Sequence, residues 1–237
     1  MMLAAFADPV FDSQRTFRAL LQAMARPAAP RALPVLPPSP APIAPAAMAI
    51  VLTLCDATTS VWLQQPEDEA VHHVRFHAGL KLVEQPQQAD FALITDPMSM
   101  PPLEAFALGA PRYPDRSASV IVQATAIHSL PCVQAEAGRG VHVLASAQDG
   151  ATPPQPPPAS RGGSTFAGAD ICASRGGGTF VGPGIRDTQT VAIDGLPADF
   201  WHQRAALAAQ LPLGIDLFFV AGQHVLALPR TTRLLEG

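Results

Sequence analysis

Short β-rich runs separated by helix-spaced segments restrict this chain to an α/β architecture. Asp12 or Ser13 is placed to cap a helix whose apolar residues Phe17, Leu20, Leu21 and Met24 recur at intervals of three and four, with Arg15, Arg18 and Gln22 outward. Arg26-Pro27 ends it. Prolines are then too frequent over residues 27–45 for helix or ladder, which predicts an extended connector wrapping the surface. Residues 46–54 read as a helix, Asp56-Ala-Thr-Thr59 closes it, and 60–63 read as a strand. Residues 91–95 predict a further strand, 101–109 a short helix ended by Gly109, and 117–126 a central strand. A strand at 190–193, a helix at 198–210 and a hairpin of 215–220 with 224–228 around Ala221-Gly-Gln223 complete the pattern, the last two strands in the sheet core.

Residues 136–178 interrupt this order. They contain Pro153-Pro-Gln-Pro-Pro-Pro158 and two similar pieces, Arg161-Gly-Gly-Ser-Thr-Phe-Ala-Gly168 and Arg175-Gly-Gly-Gly-Thr-Phe-Val-Gly182. The segment is read as a flexible Pro/Gly-rich insertion into a single domain spanning 1–237. Neither copy has the G-x-x-x-x-G-K-[ST] pattern of a phosphate loop or a clear following helix, so a short duplication explains them more economically.

Composition narrows the function. Charged residues make up 14% and the net charge is −4, without the basic footprint that nucleic-acid binding requires. So few charges leave apolar surface, which fits either contact with other proteins or a drift toward alanine and proline. The cysteines, Cys55, Cys132 and Cys172, are odd in number and widely spaced, suggesting neither a disulfide framework nor a metal centre. No signal-peptide pattern and no membrane-spanning apolar run is present, so a soluble cytoplasmic protein is expected.

Side chains with chemical potential are few. His72, His73 and His77 offer imidazoles at ligand spacing only if their segment is helical; residues 71–76 look at least as much like a strand, which sends His72 and His73 to opposite faces. Asp216 lies in an apolar run and needs a donor, and Arg230 follows a strand and a proline with a fork suited to that carboxylate or to a phosphate. A structural Asp216–Arg230 pair is the simpler expectation. The sharper one places Arg75, His77 and Arg230, with Asp216, around a pocket for a phosphate or phosphonate oxyanion. No G-x-S-x-G elbow is present. Trp62 and Trp201 suit an interface or a core equally.

Several segments, in order and across nearly the whole chain, resemble the PhnH family of the bacterial carbon–phosphorus lyase system. They are Phe11-Asp-Ser-Gln-Arg-Thr-Phe-Arg-Ala-Leu-Leu-Gln-Ala-Met24, Leu52-Thr-Leu-Cys-Asp56 with Val61-Trp-Leu63, Arg75-Phe-His77, Gly182-Pro-Gly-Ile185, Pro212-Leu-Gly-Ile-Asp216 and Pro229-Arg-Thr-Thr232. The resemblance leaves out residues 133–178, where the family has a short turn. It implies a three-layer mixed sheet with helices on both faces, like the large domain of pyridoxal-phosphate-dependent transferases but without the cofactor. The lone lysine, Lys81, lies in the first half, whereas the cofactor lysine of such folds follows the pocket-building strands.

The resemblance further implies association with the PhnG, PhnI and PhnJ subunits in a core complex for phosphonate catabolism. That assembly is linked to forming ribose 1-phosphonate 5-triphosphate from a nucleoside triphosphate and a phosphonate. The family is needed there without an assigned catalytic group or cofactor, and tends to dimerise in isolation. The alternative is a phosphonate- or nucleotide-binding protein or enzyme with its own pocket near Arg75, His77, Asp216 and Arg230.

Overall fold

The computed structural model describes residues 3–130 and 177–235. Seven strands form one mixed sheet. In spatial order they are β1 (Arg31–Ala32), β12 (His224–Leu228), β11 (Asp216–Ala221), β7 (Ser119–Gln123), β4 (Phe91–Ile94), β2 (Ser60–Leu63) and β3 (Lys81–Leu82). From β11 to β3 every pairing is parallel, while β11, β12 and β1 pair antiparallel. The expected hairpin at 221–223 and the central position of β11 are both present.

Because side chains alternate across a strand, each run of the sheet feeds two cores. Phe218 and Val220 of β11 point to the layer that contains α1 (Pro9–Ala25), α2 (Pro45–Leu54) and α3 (Asp68–Ala78). Leu217 and Phe219 point to the other layer, which contains α4 (Phe200–Ala208) and a second sheet. That sheet is antiparallel, in the order β13 (Arg233–Leu235), β9 (Gly177–Val181), β10 (Gln189–Asp194) and β8 (Ala126–Leu130). An edge-to-face aromatic group, Phe180 with Trp201 and Phe200 with Phe219, fills the second core. Each large apolar side chain buried in this way contributes about 1.5–3 kcal/mol.

Three local expectations are corrected. Residues 101–109 hold only one 3-10 turn, Leu103–Ala105, because Leu108–Ala110 (β5) pairs instead with Tyr113–Ser117 (β6) in a separate two-stranded ribbon. The run at 117–126 is two strands: the chain leaves the main sheet after Gln123, the Thr125 N–H donates to Asp194 O at 3.0 Å, and β8 continues in the second sheet. The expected flexible insertion at 136–178 lies outside the described residues except for 177–178, which begin β9; the second glycine-rich copy is therefore a strand over Gly177–Val181.

The first helix also differs from the sequence reading. Its N-cap is Asp8, whose carboxylate accepts from Phe11 N, and Asp12 in the first turn accepts from Asp8 N at 3.0 Å. Two otherwise orphaned N–H groups are satisfied this way. The buried face carries Asp12, Thr16, Leu20 and Ala23, so Phe17 and Leu21 point outward. The neighbouring α2 is alanine-rich at its start, and α1 presents its own smaller side chains to it.

Asp12 carries a pH consequence. The Asp8 N–H, then Arg15, hold its carboxyl below the ordinary value of 3.8. A carboxylate depressed in the folded state stabilises above its unfolded value and loses that contribution as pH falls through the folded one. Urea melts of wild type and Asp12→Asn should therefore differ at neutral pH and converge on acidification below 3.8.

Candidate functional site

In open α/β sheets ligands collect beyond the carboxyl ends of parallel strands. Here that crest is knitted to backbone by two glutamines. Gln64, following β2, accepts from Thr95 N at 2.9 Å and Asp96 N at 2.8 Å and donates to Asp96 O at 2.8 Å. Gln123, ending β7, accepts from Ala44 N at 2.5 Å and donates to Pro42 O at 3.1 Å. The bond to Ala44 ties the entry of α2, which has no side-chain cap of its own, to the sheet. Lys81 opens the edge strand β3 opposite Ser60.

The four sequence-derived candidates separate into two places. Arg75 and His77 lie in the last turn of α3, and the strand expected over 71–76 is absent. Asp68 and Glu69 in the first turn and Arg75 and His77 in the last complement the helix dipole, and Gly79, at φ 66°, ends the helix in the left-handed conformation. Ala70, His73 and Val74 form the buried face. His73 and His77 are one turn apart with ring centroids 4.5 Å apart, and His77 Nε2 lies 3.1 Å from Leu3 O. Burial, then the neighbouring His77, lowers the pKa of His73, favouring its neutral form. Among the described residues no group of three or more histidine, cysteine or acidic side chains is arranged to hold a metal ion.

Asp216 and Arg230 meet each other on the far core. Arg230 donates to Asp216 from Nη2 at 2.7 Å and from the backbone N–H at 2.8 Å, and its Nη1 donates to Pro114 O. Both side chains are largely buried, at 19% and 16% exposure. Arg230 is thus a three-way tie between β6, β11 and the turn after β12. Among the described residues no hydrogen bond or ion pair joins Arg75 or His77 to this pair.

A second arginine joins the cluster. Arg204 on α4 is 3% exposed and donates to Pro229 O at 2.7 Å and Thr232 O at 3.3 Å. Burial pulls its pKa down to about 10, opposed by Asp216, so it stays charged at neutral pH. Its Nε and Nη1, and Thr232 Oγ1, are buried without partners among the described residues, which suits an ordered water. Sequence reasoning missed Arg204, although it stands four residues after Phe200 and three before Leu207, on the helix's buried face. Burial pushes the thiol of Cys55, which closes α2, up to about 12, which disfavours the reactive thiolate.

The surface offers a different feature. Along α1, Val10, Phe17 and Leu21 form a second apolar stripe, 74%, 48% and 57% exposed, and Phe76 on α3 is 67% exposed. Apolar side chains exposed along one helix face in this way offer a surface on which another macromolecule can dock. No described helix is long and apolar enough to cross a membrane.

Comparison with known proteins gives a consistent result. The family model described as bacterial phosphonate metabolism protein (PhnH) matches residues 4–152 and 169–235. The unmatched piece is therefore 153–168, shorter than the 133–178 expected from motifs alone. The alpha-D-ribose 1-methylphosphonate 5-triphosphate synthase subunit PhnH of Rhizobium meliloti is 33% identical over 232 residues, 97% of this chain and 94% of its own length. HtxG of Stutzerimonas stutzeri, whose name places it with the C-P lyase subunits, is 43% identical over 56 residues, 23% of this chain and 29% of its own.

Proposed function

The chain belongs to the PhnH family of bacterial phosphonate metabolism proteins, and from that premise we propose that it is a non-catalytic docking subunit of a carbon–phosphorus lyase assembly. The relative in Rhizobium meliloti is named as a subunit of a ribose 1-methylphosphonate 5-triphosphate synthase, which supports a place in the same reaction sequence. The observation that carries the docking role is the exposed stripe Val10, Phe17 and Leu21 on α1. Its occupant is another protein subunit of the assembly, among the PhnG, PhnI and PhnJ types. A water-exposed apolar stripe gains free energy on burial, and a protein surface of matching shape supplies that burial without a charged ligand.

The polar clusters support a scaffold rather than a reaction centre. Asp216 and Arg230 spend their hydrogen bonds on each other and on backbone, and the glutamines of the strand crest spend theirs mainly on backbone. The mixed sheet with α1–α3 on one face is proposed as a cofactor-free counterpart of the large domain of pyridoxal-phosphate-dependent transferases, a relation that supplies a rigid platform for docking.

Growth tests the reading. A strain deleted for this gene and given methylphosphonate as sole phosphorus source should stop growing, recover with the wild-type gene, and retain growth on inorganic phosphate throughout. Unimpaired growth of the deletion strain on methylphosphonate would remove the proposed role.

A further inference from the structure

A second face of the molecule has the chemistry of a small-anion site. The C-terminal end of α1 and the loop 182–189 enclose a cleft of about 260 Å³ lined by Arg26, Pro27, Gly184, Ile185, Arg186 and Asp187. Both arginines are exposed, and among the described residues neither has an ion-pair partner. The chain as a whole carries a net charge of −4, so a cleft lined by two arginines and one aspartate reverses the overall sign locally.

The walls are fixed relative to one another. Gly184 has φ +86°, and a Cβ placed on it would lie 2.2 Å from Ala25 O and 2.9 Å from Pro27 Cδ, so the loop sits directly on the helix end. Ile185 N closes the turn onto Gly182 O at 3.1 Å. On the opposite wall Pro27 is buried, and the Ala28 N–H donates to Ala227 O at 3.1 Å, anchoring the chain to β12. Two guanidinium groups presented from fixed backbone lose less freedom on binding than two on mobile loops.

We infer that this cleft binds a small phosphate-type oxyanion, a phosphonate or the phosphate chain of a polyphosphate, between Arg26 and Arg186. Guanidinium forks match the paired oxygens of such groups. The volume lies just below the roughly 300–1,000 Å³ of pockets for drug-sized ligands, which favours the anionic group over a whole nucleoside. Asp187 faces the same space and weakens binding by repulsion. The inference stands apart from the docking role, since α1's apolar stripe and this cleft use different residues.

Calorimetric titration of the full chain alone with methylphosphonate and with inorganic tripolyphosphate tests it, at physiological salt. Saturable binding of either is expected, and the tighter of the two identifies the source of the oxyanion. Arg26→Gln and Arg186→Gln should each weaken binding roughly tenfold. Asp187→Asn should strengthen it, and the paired change to lysine should restore part of what glutamine removes. Thermal melts confirm that each variant is folded. Absence of saturable binding by the wild-type chain through the millimolar range, or unchanged affinity in both glutamine variants, overturns the assignment.

Discussion

Asp216→Ala is expected to lower unfolding stability in urea by about 3 kcal/mol, the lower end of the range for removing one partner of a buried ion pair, since the two side chains keep 16% and 19% exposure. The carboxylate accepts the Nη2 and backbone N–H groups of Arg230, and its charge favours the cationic form of buried Arg204. Its loss leaves two arginines facing each other with only carbonyls for compensation. Removing both ends tests the mechanism: Asp216→Ala with Arg230→Met should cost less than the sum of the single changes. Glu84→Ala, on the exposed surface, should stay within about 0.5 kcal/mol of wild type. A cost for Asp216→Ala no larger than that of Glu84→Ala would mean that the pair does not hold β11 to the turn after β12.

The second large effect concerns association. Phe17→Glu combined with Leu21→Glu places two charges in the α1 stripe, where a desolvated interface would have to bury them. The isolated chain should keep its stability, because both side chains already face water. Recovery of partner subunits should fall by more than tenfold, since apolar anchors at interface centres each carry about 2 kcal/mol or more. Arg18→Glu, on the outer face of the same helix, serves as the control. Equal recovery with all three chains would move the docking surface elsewhere.

Elements with continuous apolar runs were legible in the sequence: α2, β2, β4 and the β11–β12 hairpin fall close to their expected ranges. Where polar residues sit on buried faces the reading failed. Helix α1 buries Asp12 and Thr16 and exposes Phe17, because α2 takes its smaller face and because Asp12 is engaged by the Asp8 N–H. In α3 three histidines obscured a helix whose termini were nevertheless written in Asp68, Glu69 and Gly79. Of the second sheet only β10 was legible, for two reasons: β8 continues the apolar character of β7 without a marked break, and β9 lies in a glycine-rich repeat with little strand propensity.

The candidate site was legible in part. The need of Asp216 for a donor follows from its apolar surroundings, and Arg230 meets it. Nothing in the local sequence ties Arg75 and His77 to that pair, and they stand on a helix of the other core. The Arg26 and Arg186 cleft was hidden because its walls are about 160 positions apart in the chain and meet only where Gly184 seats on Ala25.

The docking role is tested most directly by co-expressing the affinity-tagged chain with the PhnG-, PhnI- and PhnJ-type subunits of its own organism and weighing the purified product by light scattering. A single stoichiometric hetero-oligomer, lost with Phe17→Glu and Leu21→Glu together, is the expected result. Recovery of the tagged chain alone, folded and free of partners, would contradict it.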